Sequence, residues 1–347
     1  MALAVTAVCV ALTSTACTSG SSEAKKPAAH ASADEQPELS PALTRQEARA
    51  AIERYARVNN KANTGRDRAL LATIEDGPLY AMSAAEYQQT DGLTRSERKP
   101  YQPWSYDAQR AELYIPRISS GQPRWFAAAL ASSKNQIPDQ LAVFAQQPHQ
   151  QRWALVSVAD LYGRNLPKVV LDAGGYATTV AANRSKSLAV GADRLRRGVL
   201  DNFATGGRGS GKKKIFAASR ASSQQVKVHN ETVSQYGSQG SSIFTGAPNR
   251  YRDTYALKTI DGGALVFFSH THHQTDTVAR PGLRLDPGKE DRAWLHDIPR
   301  TRIRYTFVCN NAATVPAKTG PATLLAYTCA RTHASGPPAN PAPPPRA

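Results

Sequence analysis

No apolar run in this sequence approaches the ~20 residues that a helical membrane span needs, which excludes a body built from membrane-crossing helices. Cysteine is scarce, with four in 347 residues and no CxxC pair, so neither a disulfide-dense scaffold nor a zinc ribbon is indicated. Acidic residues are few as well: 27 Asp+Glu stand against 43 Lys+Arg, a net charge of +16. What is present is ordinary globular composition. The chain is 41% hydrophobic and 20% charged, which excludes whole-chain disorder and collagen-like structure. Its length suits two medium domains.

Residues 1–16, MALAVTAVCVALTSTA, are uncharged, small and apolar, and read as the core of a secretory signal peptide. Cys17-Thr-Ser-Gly-Ser-Ser then resembles the start of a bacterial lipoprotein, whose cysteine carries the lipid. Two features depart from that pattern. Ser14 stands where an aliphatic residue is usual, and a positive segment before the apolar run is missing. Residues 17–42 are mostly Ala, Ser, Lys, Glu and Pro and read as a lipid-tethered flexible linker. Lipidation of Cys17, with palmitate-type acylation, implies an extracytoplasmic protein anchored to the outer face of the cell membrane.

The pattern changes near residue 44. Thr44 and Glu47 form a capping box, and Ala48, Ala51, Ile52, Tyr55, Val58 and Ala62 recur at helical spacing. A short helix with Leu70, Leu71 and Ile74 is expected to stop at Gly77-Pro78, and a third to start at Ser83. AELYIPR, RWFAAAL, QLAVFAQQ and RWALVSVA read as four strands separated by turn segments. The order then repeats. Leu188, Ala192, Leu195, Val199 and Phe203 trace a helix face ended by Gly206-Gly207. The strands TYALKTI, ALVFFSHTH, RIRYTFVCNNAATV and ATLLAYTCAR follow. The expectation is an α+β fold of two domains, each with N-terminal helices and a curved antiparallel sheet. The first covers 43–160 and the second 184–333. A junction with a hairpin in VVLDAGGYATTV fills 161–183, and 334–347 is a Pro-rich tail.

The segments LTRQEARAAIERYARVNNKANTGRDRALLATIEDGP, LDAGGYATTVAANR and TIDGGALVFF resemble a family of uncharacterised actinobacterial surface lipoproteins, over about residues 45–310. The helices-then-meander order is also similar to the cone-shaped nuclear-transport-factor-2-like fold. That fold hosts isomerases, dehydratases and non-enzymatic pockets alike, so it decides no activity. The family resemblance implies no known activity, and no catalytic residue is carried over from it.

Cys9 leaves with the signal and Cys17 takes the lipid, so Cys309 and Cys329 remain. Outside the cytoplasm a disulfide is their default. Their midpoint, Thr319, lies in the turn Pro316-Ala317-Lys318-Thr319-Gly320-Pro321, which sets the two cysteines opposite each other across a hairpin. His270 and His272 share a strand face, as transition-metal ligands would, with Asp276 on the same face to orient one imidazole, while His273 points away. The simpler expectation is solvated histidines at an exposed strand end, and no metal or cofactor is expected. GGRGSGKK at 206–213 approaches a phosphate-binding loop, but Lys213 stands where Ser or Thr is needed and a helix precedes it. Asp160, Tyr162, Tyr87 and Tyr106 are acid–base candidates for a cone pocket.

Charge is distributed unevenly. Residues 1–180 hold 19 basic and 17 acidic residues, net +2; residues 181–347 hold 24 and 10, net +14. Arg194, Arg196 and Arg197 lie off the apolar helix stripe, followed by Arg208, Lys212, Lys213 and Lys214. Such a patch attracts anionic lipid or cell-wall polymer; no motif supports specific nucleic-acid recognition. The expected function is a non-enzymatic binding or assembly module at the envelope, with an envelope protein as a further partner. The alternative is a hydrolase or isomerase using a cone-fold pocket.

Overall fold

The computed structural model describes residues 39–132, 137–146, 151–182, 188–209, 211 and 214–339. Cys17, the expected signal peptide, Lys212 and Lys213 lie outside these residues. Regular structure is found before residue 43. Strand β1 (Leu39–Pro41) pairs with β3 (Arg117–Ser119), and Ala42 and Leu43 are buried. Arg124 fastens this entry by donating to the Ala42 carbonyl.

Thr44 caps helix α1 (Arg45–Gly65). Its hydroxyl accepts from the Glu47 amide at 3.2 Å, and Glu47 Oε2 accepts from the Thr44 amide at 2.7 Å. Ala48, Ile52, Tyr55, Ala56, Asn59 and Ala62 form its buried side. After α2 (Arg68–Leu71), Gly77-Pro78 opens α3 (Gly77–Gly92) rather than closing a helix. Two properties explain this. Proline in a first turn lacks only an amide that has no helical partner, and Asp76 Oδ1 accepts from the Gly77 amide at 2.6 Å. Gly77 turns the chain into α3 at φ +58°, where a side chain would be strained.

The first sheet runs β2 (Glu112–Tyr114), β4 (Trp125–Leu130), β5 (Gln140–Gln146), β6 (Trp153–Asp160), all antiparallel. In the second half come α4 (Ala192–Thr205), α5 (Arg220–Ser234), β7 (Gly240–Gly246), β8 (Thr254–Lys258), β9 (Ala264–Val278), α6 (Arg292–Leu295), β10 (Arg302–Val315) and β11 (Thr323–Ser335). Strands β11, β10, β9 and β7 pair in that order, and β8 pairs with the start of β9. The protein is thus α+β, with helices and antiparallel sheets in two regions.

All described residues fall within one compact unit, and the two sheets share its core. Leu257, Leu265 and Phe267 join Phe126, Phe144 and Leu155 of the first sheet. Ala264, Val266 and Phe268, on the other face, join Leu195, Val199 and Phe203 of α4. Burial on both faces explains why β9 opens with a continuous apolar run instead of an alternation. The segment expected as a junction bonds to both halves. The Ala177 amide donates to Ile115 O at 2.7 Å, and the Val170 amide donates to Lys258 O at 2.8 Å. The start of the Pro-rich tail is tied down as well: the Ala339 amide donates to Pro299 O, and Arg300 donates to Gly336 O.

Candidate functional site

Three places bring chemistry together. The first is a cleft of about 720 Å³ between β4–β6 and the β8–β9 edge. Trp125 and Tyr255 stand in it with ring centroids 5.1 Å apart, next to Phe267. Arg250 and Arg252 line it as exposed cations, without an ion pair among the described residues. Leu39, the first described residue, also lines it.

The acid–base candidates sit elsewhere. Tyr106 donates to Gln140 Oε1 at 2.7 Å, and Gln140 Nε2 donates to Asp160 Oδ1 at 2.9 Å, so one amide links two of the four. Tyr162 stacks on Tyr327 at 4.9 Å, and Tyr87 donates to Asn63 Oδ1. None of the four lines the cleft. A carboxyl group that sequence reading passed over is perturbed as well. Glu75 is buried, accepts from Tyr55 OH at 2.8 Å and Asn59 Nδ2 at 3.2 Å, and burial raises its pKa to about 7.

The second place is the sheet face under α4. His270 and His272 are not solvated at a strand end; both are almost fully buried. Their strand continues to Val278, and the helices of the second half cover it. The His272 ring lies between Phe203 at 4.6 Å and Phe307 at 5.1 Å. Asn311 Nδ2 lies 3.3 Å from Phe268 O and 3.4 Å from Cys309 O, which places its donor end there, and it reaches His270 Nδ1 at 3.0 Å. His270 Nδ1 is therefore the acceptor, and the proton belongs on Nε2, which faces His272 Nδ1 at 3.2 Å. Desolvation holds both imidazoles neutral. The His270 pKa lies well below the usual value and that of His272 is lowered to about 3.

Register brings the cysteines to the same face. Cys309 pairs with His270 on one side and Cys329 on the other, and the Cys309–Cys329 disulfide is formed. Asp276 lies further along, accepting from Ser242, Gln274, Tyr236 and Gln235. It orients neutral side chains, and none of these partners is an imidazole.

The third place is the basic surface. Arg194 and Arg197 are exposed on α4, and Arg208 and Lys214 are exposed beyond it. Arg196 differs: its side chain is only 13% exposed. It pairs with Asp193 and donates to the carbonyls of Ser269, Arg252 and Asp253 and to the Thr254 hydroxyl. Its role here is to tie α4 to the sheet. The glycine-rich loop is occupied by the chain itself. Asp201 Oδ1 accepts from the Gly209 amide at 2.9 Å, and Thr205 Oγ1 accepts from the Arg208 amide at 2.9 Å. A carboxylate thus stands where a phosphate would need these donors.

Residues 39–336 match the family described as a domain of unknown function (DUF8094), and the chain belongs to that family. An uncharacterized lipoprotein of Streptomyces coelicolor is 55% identical over 337 residues, covering 97% of this chain and 94% of the relative. A second from the same organism is 27% identical over 280 residues, covering 81% and 82%. One from Streptomyces avermitilis is 27% identical over 282 residues, covering 81% of each. No solved structure matches the chain.

Proposed function

We propose that the protein is an extracytoplasmic lipoprotein, anchored through Cys17, whose folded body binds anionic envelope components through the basic surface of its second half. The relatives' description as lipoproteins supports the anchor, together with the small residues before Cys17 and the polar linker after it. The observation that carries the binding role is the exposure of Arg194, Arg197, Arg208 and Lys214 on α4 and the segment after it. Each cation near an anionic surface contributes roughly 1 kcal/mol. The Debye length is ~8 Å at physiological ionic strength, so this attraction acts at close range, which a tether maintains. The role is binding or assembly, with anionic lipid or wall polymer as partner.

The cleft supports a second reading, a small-molecule pocket. Trp125 and Tyr255 offer ring faces there, and Arg250 and Arg252 offer charge. A hydrolase or isomerase would use this cleft.

The body from residue 39 onward, added to anionic phosphatidylglycerol vesicles, is expected to bind at low salt and to detach as salt rises. Replacing Arg194, Arg197, Arg208, Lys212, Lys213 and Lys214 together by Ala should weaken binding at least tenfold. Arg196 is left in place because it holds α4 to the sheet. Binding that is absent at low salt, or indifferent to the six substitutions, shows that the charge serves solubility alone.

A further inference from the structure

We propose that the Cys309–Cys329 disulfide gates a buried transition-metal site, in which His270 Nε2, His272 Nδ1 and Cys309 Sγ become three ligands for a zinc-class divalent cation once the disulfide is reduced. The argument begins with convergence. His270 Nε2 and His272 Nδ1 are 3.2 Å apart, and Cys309 Sγ lies 3.9 Å from His272 Nδ1. One donor atom from each of the three residues lies within 4.8 Å of the others.

A tetrahedral zinc ion with nitrogen at ~2.0 Å and sulfur at ~2.3 Å needs donor separations of roughly 3.3 to 3.6 Å. Two of the donor pairs are within about 0.5 Å of that spacing, and the third, no wider than 4.8 Å, must close by up to about 1.3 Å. Two nitrogens and a thiolate form a donor set that suits zinc, and a tetrahedral site has one further position. Cys329 Sγ, directly across the strand pair, is the nearest thiol for that position.

The surroundings bring both rings to the cluster, and one proton has to move before His270 can serve as a ligand. His270 Nε2 points into the cluster; to bind the metal its proton moves to Nδ1, and the Asn311 amide turns so that Oδ1, which has no partner among the described residues, accepts it. Phe203 and Phe307 fix the His272 ring between them. In the oxidised chain Cys309 has no thiolate to give, and the two imidazoles satisfy one another.

The gate is an ordinary exchange with a dithiol. Cys309 is fully buried and Cys329 only partly, so the incoming thiolate bonds to Cys329 Sγ. The Cys309–Cys329 bond breaks, and Cys309 leaves as a thiolate beside the imidazoles. The second thiol of the reductant then forms its own disulfide and releases Cys329 as a thiol. Two electrons pass from the dithiol to the protein disulfide. A Cys309 thiol that meets the metal loses one proton to solvent.

The test uses the full chain carrying Cys9→Ser and Cys17→Ser, so that only Cys309 and Cys329 can supply sulfur. Cobalt(II) is the probe, because its thiolate charge-transfer absorption reports sulfur ligation. The oxidised chain should show no such band. The reduced chain should show it at one cobalt per chain, and zinc should displace it. Cys309→Ser should abolish it. His272→Phe, which keeps a ring between Phe203 and Phe307, should weaken cobalt binding at least tenfold.

Far-UV circular dichroism accompanies each sample. A reduced chain that folds without a thiolate band overturns the proposal, as does one that unfolds and is not restored by cobalt. A band that persists undiminished in His272→Phe, or that appears in the oxidised chain, overturns it too.

Discussion

Glu75→Gln should gain stability relative to the wild type by about 2.5 kcal/mol between pH 5 and pH 9. Burial raises the Glu75 pKa from 4.5 to about 7, outweighing the hydrogen bonds that favour its charged form. The folded state therefore holds a proton that the unfolded state has lost between those two values. Glu75 contributes stability that is fully present below pH 4.5 and disappears as pH rises through about 7. Above that, a carboxylate with few compensating donors sits in the core. A glutamine keeps the oxygen that accepts from Tyr55 and Asn59 and never ionises. Urea unfolding of both chains across the pH range gives the answer. Parallel curves would show that Glu75 is ionised in the fold at neutral pH.

Acid should destabilise the fold through the opposite process at the histidine pair. The His272 pKa falls from 6.5 to about 3 because burial excludes water, with the neighbouring His273 adding to the shift. That of His270 also falls well below its usual value for the same reason, with His272 and the Arg196 guanidinium adding. Both imidazoles stay neutral in the fold while the unfolded chain protonates them below pH 6.5. Their contribution is therefore present above pH 6.5 and is lost as pH falls. His272 alone accounts for a loss of about 2 kcal/mol between pH 7 and pH 5. Glu75 gains about as much over the same interval and masks it. Glu75→Gln should thus lose more stability between pH 7 and pH 5 than the wild type does, the two converging in acid, and adding His272→Phe should flatten that slope. The comparison is of slopes, because His272→Phe also leaves His270 Nε2 without its partner. An unchanged slope would mean that His272 is protonated in the fold.

Much of the fold was legible because local signals were strong. Thr44 and Glu47 marked the first helix at the residue where it begins. The runs TLLAYTCAR and RIRYTFVCNNAATV marked the last hairpin, and its turn set Cys309 opposite Cys329. Helix α5 was missed because its buried side is Ala221, Ser222, Gln225 and His229, which gives almost no apolar stripe. Strand β7 was missed too: exposed polar residues flank Ile243 and Phe244, and only Ser242 and Phe244 are buried.

The sites were less legible because they depend on contacts distant in sequence. Strand periodicity put His270 and His272 on one face, yet their burial comes from Phe203 and Phe307. The third donor, Cys309, lies 37 positions from His272 and reaches it only through strand register. Helical spacing set Arg196 off the apolar stripe, but not the carbonyls of Ser269, Arg252 and Asp253 that draw its guanidinium inward. The cleft draws its lining from residues between 39 and 269, and no local pattern encodes it.

The central claim is a body tethered outside the cell membrane by a lipid on Cys17. Intact-mass and peptide analysis of the N-terminus tests it most directly, on protein recovered from the membranes of a Streptomyces host. The expected mature chain begins at Cys17 and carries acyl mass on that residue. A mature chain that begins at another residue, with a free amine and no acyl mass, would contradict it.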